Sequence, residues 1–234
     1  MRLYIETCVR AELETLWERT QEPAQHQRWD LRFTEIDYLQ CRAGEPQRFR
    51  YATRVLPWLT VAGTGVSAGE RRRAGDRVSA LRFASPHPLS LLKEGSGYWR
   101  YVPTADGVRF LTGYDYRPRW GRFGRVADRL VFRPLMGWAT AWSFDRLRLW
   151  CERGITPERA MVHALADLGV RVLAAATALS VHPLGGLAVA VAAVVLPPPP
   201  RTPAARRCLR TPPGPAAPPP LLASLERTTT LEHA

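Results

Sequence analysis

The chain has 234 residues, of which 46% are hydrophobic and 23% charged, and it carries a formal net charge of +12. This ordinary globular composition excludes a wholly disordered chain, a coiled coil and a collagen. No apolar run near about 18 residues occurs before residue 160, which excludes a multi-span transporter over that part. The positive charge permits anionic partners, such as lipid headgroups or nucleic acid, without choosing between them.

The cysteines and the N-terminus favour a cytoplasmic protein. Cys8, Cys41, Cys151 and Cys208 do not occur at C-x-x-C spacing, so reduced thiols are the expected state. The first residues lack the apolar core of a signal peptide. We therefore expect a cytoplasmic location, and attachment to the inner face of the cell membrane is left open.

The first thirty residues predict a strand followed by two short helices. Residues 2–10 alternate between apolar and polar side chains, which is the period of a half-buried strand. Leu13, Leu16 and Trp17 then recur at helical spacing, and Pro23 ends this helix. A second short helix is predicted from about residue 23 to residue 30.

The next part of the chain, from residue 32 to residue 117, predicts a series of strands separated by turn residues. The clearest strand is the last, because its alternate side chains form one apolar face. That face is the better candidate for the inner side of a sheet, and it consists of Val108, Phe110, Thr112, Tyr114 and Tyr116. The predicted strands are 33–41, 47–56, 59–68, 77–84, 95–103 and 107–117.

A long helix is predicted over about 123–153, bent or broken at Pro134 and ending at Gly154. Strands that are grouped together, with helices at both ends, predict an α+β fold with an antiparallel sheet. The long helix must bury its apolar side, and the concave side of the sheet is the large apolar surface available. We therefore expect a curved antiparallel sheet wrapped around the long C-terminal helix, with two short helices after the first strand and a cavity between sheet and helix.

This order of elements resembles the helix-grip fold of the START-like, or SRPBCC, superfamily, and more narrowly its polyketide cyclase/dehydrase and lipid-transport branch. The resemblance covers residues 1–154. It rests on the order of the elements and on the kinds of residue within them, since the superfamily has no short diagnostic motif. It implies a cavity that binds hydrophobic ligands, such as lipids, sterols or polyketides, and in some members a cyclase reaction. The stretches that carry it are the first strand, the helix around Leu16, HQRWD at 26–30, GYWRY at 97–101, FLTGYDY at 110–116 and FRPLMGWATAW at 132–142.

Two further segments follow this domain. Residues 155–196 are hydrophobic, and 172–196 contain no Asp, Glu, Lys or Arg, which meets the length criterion for a membrane span. Eight alanines and the break at His182-Pro183 weaken that reading, so a kinked span, a re-entrant hairpin and a soluble helix pair all stay open. Residues 160–196 resemble the start of a DoxX-like membrane region. Residues 197–234 are rich in Pro and Arg and predict a disordered tail.

The sequence contains no recognisable metal, nucleotide or nucleophile motif, so no metal, no cofactor and no named catalytic residue are expected. Gly63-Thr64-Gly65 lacks the third glycine of a dinucleotide motif and is interpreted as a bulge or bend in a strand. A cavity enzyme would need a buried acid or base, for which candidates are Asp115, Glu94, His26, Arg50 and Arg54.

Simpler roles are expected for these polar residues. Asp115 is predicted to point outward and to pair with an arginine of a neighbouring strand. Arg50 and Arg54 share a solvated face with Arg48, and His26 is predicted to make a surface contact on its helix. The expected ligand-cavity residues are instead Phe110, Thr112, Tyr114, Tyr116, Tyr98, Trp138, Trp142 and Trp29.

A basic stretch with interleaved aromatic residues precedes the long helix. One interpretation is a solvated linker, and the sharper one is contact with an anionic membrane surface at the cavity mouth. Nucleic acid is disfavoured, because the aromatic residues lie on one linker and not across a platform. The membrane-surface candidates are Arg119, Trp120, Arg122, Phe123 and Arg125.

Three functions are therefore weighed from the sequence. The first is binding or transfer of a hydrophobic small molecule near a membrane. The second is a cyclase or dehydratase that uses a cavity acid or base, and the third is a structural membrane-associated module with a filled cavity. A cavity lined only by Trp, Phe, Leu and Val favours binding, a buried Asp, Glu or His facing a Tyr or Arg favours chemistry, and the absence of a void favours the structural role.

Overall fold

The computed structural model describes residues 3–42, 45–73, 75–214 and 219–222. Its strands and helices follow the predicted order, with strand ends that differ by a few residues. The strands are β1 (Leu3–Val9), β2 (Glu35–Tyr38), β3 (Gln47–Leu56), β4 (Leu59–Arg73), β5 (Asp76–Ala84), β6 (Leu92–Thr104) and β7 (Gly107–Pro118). The helices are α1 (Leu13–Gln21), α2 (Pro23–Trp29), α3 (Gly121–Ala127), α4 (Arg133–Arg153), α5 (Pro157–Val181) and α6 (Pro183–Val195).

The seven strands form one antiparallel sheet in the order β1-β7-β6-β5-β4-β3-β2. Each strand from β2 to β7 is the neighbour of the next in the chain, and β1 pairs with β7, with Ile5 opposite Thr112. This is the predicted α+β class with a curved antiparallel sheet. Because the pairs β2 to β7 are all sequential hairpins, short turns suffice to connect them.

The main core lies between the sheet and α4. Phe110 of β7 stacks on Phe144 of α4 with ring centroids 4.5 Å apart, and both side chains are fully buried. Ile5 and Leu147 are also fully buried in this cluster. A long helix held in the concave face of an antiparallel sheet is a helix-grip-like fold.

The long helix is interrupted where Pro134 predicts a break. Residues Asp128–Phe132 form a π-helical segment between α3 and α4, and the Arg133 amide donates to the Asp128 carbonyl, five residues back. A proline lacks the amide for an α-helical bond and its ring crowds the carbonyl four residues earlier, so a local widening relieves both conflicts. At the other end, Gly154 ends α4 in the left-handed conformation, with φ of 63°.

Beyond α4 the chain leaves the domain and then returns to it. Helices α5 and α6 form a hairpin with its turn at His182. After the hairpin, the Leu209 amide and carbonyl pair with Glu6 at the free edge of β1. The predicted disorder of the tail is therefore wrong for the part near residues 202–209, while residues 215–218 and 223–234 lie outside the described residues.

A buried carboxylate fastens this returning segment. Asp145 of α4 has no exposed side-chain surface and accepts hydrogen bonds from the Ala204 amide and from Arg207, each at 2.8 Å. Arg148 binds its other oxygen at 2.7 Å. A proline- and arginine-rich composition predicts disorder because it lacks an apolar core of its own, but here α4 supplies the partner groups.

We expect Asp145→Ala to lower the free energy of unfolding by about 3 kcal/mol, because it removes the acceptor of a buried ion pair and of a buried amide. Urea denaturation measures this loss, and limited proteolysis reports release of the segment around Arg207. Asp115→Ala is the matched control, since that carboxylate is exposed, and a change within about 0.5 kcal/mol is expected. Equal stability of the two variants would contradict the role of Asp145.

Candidate functional site

A cavity of about 360 Å³ lies between the concave face of the sheet and the N-terminal part of the long helix. Most of its wall is apolar, and Tyr38 and Leu89 line it while remaining about half exposed, which places them at its opening. The wall includes Phe33, Ile36, Phe49, Tyr51, Val61, Leu81, Phe83, Leu91, Leu92, Trp99, Thr112, Tyr114, Phe132 and Met136, with His26, Arg32, Thr53 and Ser79 as polar members.

Two glycines of β4 let aromatic rings lie flat against the sheet on the cavity side. A Cβ atom on Gly63 would lie 2.4 Å from the Tyr51 ring, and one on Gly65 would lie 2.2 Å from the Phe49 ring. Both glycines face their aromatic partners directly across the β3–β4 ladder. The bulge expected at Gly63-Thr64-Gly65 is not found there, because the register shift of the β3–β4 ladder lies between Arg54 and Leu56 and that of the β4–β5 ladder between Ser67 and Glu70. Close approach of the rings explains both glycines.

A buried polar cluster forms one part of the cavity wall. Asp30, directly after α2, has no exposed side-chain surface and binds Arg32 twice, with distances of 2.9 Å to Nε and 2.6 Å to Nη2. His26 Nε2 lies 3.1 Å from the same carboxylate. His26 and Arg32 line the cavity, and only about a tenth of each side chain is exposed.

The ion pair fixes the charge of two members of this cluster. Burial alone would raise the pKa of Asp30, but the charge and hydrogen bonds of Arg32 hold that pKa well below its usual range. Burial likewise opposes the charge of Arg32, and the Asp30 carboxylate more than compensates, so the pKa of Arg32 is raised. Asp30 and Arg32 are therefore both ionised and cancel each other, which is the condition for tolerating buried charge.

His26 is the titratable member. Burial lowers the pKa of His26, and this outweighs the opposing effect of Asp30. The ring is packed between aromatic side chains, stacked on Trp29 at 5.0 Å and edge-on to Trp99 at 4.9 Å. In the neutral ring, Nε2 donates its proton to the Asp30 carboxylate, which leaves Nδ1 as a lone-pair acceptor.

Tyr114 completes the polar side of the wall. Its hydroxyl lies 3.2 Å from Thr140 Oγ1 of α4, and burial raises its pKa. The guanidinium of Arg32 lies 5.7 Å from the centre of its ring. A cation, a neutral imidazole and a phenol thus face the same apolar space, and such a group can orient a polar atom of a bound molecule.

The structure brings only part of the predicted cavity set to the wall. Thr112 and Tyr114 line the cavity. Phe110 and Trp29 are fully buried in the core behind it. Tyr116 packs on Phe132, and its hydroxyl donates to Asp128.

Tyr98, Trp138 and Trp142 do not have the predicted cavity role. The Tyr98 ring lies over Gly113, on the face of the sheet opposite Thr112 and Tyr114, so only its backbone can border the cavity. Met136 faces the cavity from α4, and Trp138, two residues on, points to the other side of the helix. Trp138 is 45% exposed and stacks on Trp142, which is buried beside it.

The other acid-base candidates lie away from the cavity. Asp115 is exposed, as predicted, and accepts from the Tyr116 amide. Glu94 pairs with Arg117 at the surface, at 3.2 Å. Arg50 and Arg54 are exposed, as predicted.

His26 was predicted to make a surface contact and instead lines the cavity. Asp30 and Arg32 are members of the cluster that the sequence patterns do not predict. The signal available in the sequence was the spacing of His26 and Asp30, four residues apart around the end of a short helix, where side chains can meet.

The membrane-surface candidates lie beside the cavity opening. Trp120 donates to the Pro88 carbonyl at 3.2 Å, next to Leu89 of the opening, and Phe123 is 73% exposed. Arg122 and Arg125 are exposed. Arg119 differs, because its guanidinium binds the carbonyls of Ser85 and Ser90 and so holds the loop between β5 and β6. Contact of this surface with anionic lipid stays a prediction.

No model of a protein family matches the chain. A curated protein of Bacillus subtilis (strain 168), the uncharacterized membrane protein YndG, is 50% identical over 159 residues, which are 67% of this chain and 59% of that protein. The chain thus spans about three fifths of the length of this relative.

The solved structures to which the chain is similar include START-like proteins and aromatase/cyclases. The di-domain ARO/CYC StfQ of the steffimycin pathway is 16% identical, with a TM-score of 0.48 over 68% of this chain and 51% of that one. A STAR-related lipid transfer protein of Xanthomonas axonopodis is 16% identical, with a TM-score of 0.44 over 56% of this chain and 76% of that one. A START superfamily protein of Mycobacterium smegmatis is 14% identical, with a TM-score of 0.43 over 61% of this chain and 93% of that one. These matches are similarities of fold only. The helix-grip-like architecture is assigned from the strand order and the long helix of this chain itself. The DoxX-like continuation stays a prediction.

The buried imidazole predicts a pH-dependent stability. Below pH ~6.5 the unfolded chain protonates its histidines while folded His26 stays neutral, so stability falls as the pH is lowered, by up to about 1.4 kcal/mol per pH unit. We expect His26→Gln to remove this component in denaturation curves recorded between pH 7 and pH 5. His163→Gln, which changes a histidine outside the cavity, should leave it intact, and an unchanged slope in His26→Gln would refute the assignment.

Proposed function

We propose that residues 1–154 bind a hydrophobic small molecule that carries an uncharged oxygen group, and that the molecule lies in the cavity between the sheet and the long helix. The observation that carries this proposal is a mostly apolar wall that includes a buried cluster of ionisable side chains, formed by Asp30, Arg32, His26 and Tyr114. The volume of about 360 Å³ is in the range of small-molecule sites. The size of this void argues against a purely structural module with a filled cavity.

The charge balance of the cluster selects the type of polar group. The charges of Asp30 and Arg32 cancel, and His26 is neutral, so the wall holds no uncompensated positive charge for a carboxylate or phosphate. A ligand hydroxyl or carbonyl can exchange hydrogen bonds with the guanidinium, the imidazole or the phenol at little cost. Apolar burial then provides most of the binding free energy.

Mass spectrometry of an organic extract of the purified chain tests the proposal. We expect a stoichiometric apolar molecule with at least one hydroxyl or carbonyl oxygen. Val61→Trp should remove it, because Val61 lines the cavity and the larger ring fills the space.

Thr64→Trp is the matched control, since it introduces the same ring on the exposed face of the same strand. It should retain the molecule. An empty extract from the wild type, with no thermal stabilisation by a panel of lipids, would contradict the binding function, as would equal ligand content in the two variants.

A second candidate is a cyclase or dehydratase reaction in the same cavity, and the pairing of Asp30 with His26 favours it. The carboxylate holds the ring so that Nδ1 is unprotonated, and a lowered pKa keeps it so at neutral pH. Such a nitrogen can take a proton from a carbon next to a carbonyl group, while Arg32 or Tyr114 stabilises the enolate oxygen.

Comparison of the molecules retained by the wild type and by His26→Gln separates this reaction from binding alone. If the cavity catalyses a dehydration, the variant should hold a molecule heavier by one water than the wild type does, because the step that eliminates water is blocked. Identical molecules in both extracts would support binding without chemistry. The His163→Gln extract should match the wild type in either case.

A further inference from the structure

We infer that the α5–α6 hairpin enters a lipid bilayer from one side, reaches to about the depth of one leaflet, and returns, so that the domain and residues 197–214 stay on the same side. The inference uses none of the cavity residues and is independent of the proposed ligand. Length and composition alone make α5 a candidate membrane span. The arrangement of the two helices instead favours a hairpin that enters and leaves the bilayer on the same side.

The hairpin is apolar on all sides. Residues 172–196 contain no Asp, Glu, Lys or Arg, and Val181, Leu184 and Val194 are each at least three-quarters exposed. A helix that is apolar all round has no side that suits water, and pairing with a second copy or a groove would cover only one of its sides. A bilayer covers every side at once, so lipid is the occupant that fits.

The charges mark a sharp boundary at the base of the hairpin. Arg171 of α5 forms an ion pair with Asp167 and donates to the carbonyls of Ala193 and Leu196 at the end of α6. Arg206 donates to the Val195 carbonyl. Arg171 and Arg206 therefore lie at the same height along the hairpin, at its base, where arginines can bind phosphate headgroups. The segment without Asp, Glu, Lys or Arg begins at residue 172, directly after Arg171.

Three backbone amides at the tip are hydrogen-bonded, which reduces the cost of placing them in an apolar environment. The His182 amide donates to the Ala178 carbonyl at the end of α5. The His182 side chain accepts from the Gly185 amide, and its carbonyl accepts from the Gly186 amide. A Cβ on Gly186 would lie 2.3 Å from the backbone of Leu179, so this glycine allows the two helices to approach closely.

The depth follows from the helix lengths. From Arg171 to the tip, α5 extends about 15 Å, and the 13 residues of α6 return over about 20 Å. The hydrocarbon core is about 30 Å thick, so the uncharged part reaches near its middle and cannot cross it. The returning segment is then fastened to Asp145 and to the edge of β1, which keeps both ends of the hairpin beside the domain.

Flotation of the full chain with vesicles of phosphatidylcholine and phosphatidylglycerol tests the insertion. The double variant Leu187→Arg/Val191→Arg places two charges on exposed positions of α6, and we expect at least a tenfold loss of vesicle binding. Val162→Arg, at an exposed position of α5 on the domain side of Arg171, should bind like the wild type. Circular dichroism and the melting temperature check that all variants fold.

Spin labels measure the depth independently. The exposed Cys8 and Cys41 are replaced by serine, and burial raises the pKa of the two remaining thiols, to about 12 for Cys208, so they react poorly. A nitroxide on Leu184→Cys, at the tip, should collide with oxygen and not with a water-soluble nickel chelate on either side of the membrane. A nitroxide on Val172→Cys, at the base, should collide with the chelate added outside.

Four results would overturn the inference. The first is wild-type chain that does not float, and the second is undiminished flotation of the double arginine variant. The third is a tip label reached by chelate trapped inside the vesicles, which would mean a full crossing. The fourth is loss of flotation in Arg122→Ala/Arg125→Ala but not in the hairpin variant, which would place membrane contact at the cavity opening instead.

Discussion

The burial of α4 against the concave face of the sheet is the interaction on which the rest of the structure depends. The C-terminal half of the helix packs tightly, with Phe144 and Leu147 in contact with β1 and β7. Its N-terminal half borders the cavity, whose wall includes Met136 of α4 and Phe132 of the preceding π-helical segment. A helix fixed firmly at one end can leave space at the other, because the tight half supplies the stability that the open half lacks.

Two carboxylates with no exposed side-chain surface, Asp30 and Asp145, each have several hydrogen-bond partners. Asp30 is satisfied by Arg32 and His26, and Asp145 by Arg148, Arg207 and the Ala204 amide. The two carboxylates nevertheless have different consequences. Asp145 faces the returning chain and closes the fold, whereas the partners of Asp30 face the cavity and give it a polar side. The second arrangement lies at the cavity proposed to hold a small molecule.

The hairpin differs from the domain in where its apolar side chains lie. Inside the domain, apolar side chains are removed from water by other side chains. In α6 and in the part of α5 beyond Arg171 many remain exposed, because there the two helices pack mainly against each other. The same chain thus contains a domain with a buried apolar core and an appendage with an exposed apolar surface, and the return of the chain to β1 joins the two.

The sequence by itself determined the element order, the α+β class, the break at Pro134 and the end of the long helix at Gly154, because periodicity, proline and glycine act locally. It also determined that 172–196 is uncharged, which restricts where that segment can lie. Tertiary structure alone decided that His26 and Arg32 reach the cavity, that Trp138 turns away from it, and that a proline-rich segment becomes ordered on Asp145. Each of these outcomes depends on which groups distant parts of the chain present to one another, and a residue's neighbours in sequence contain no information about that.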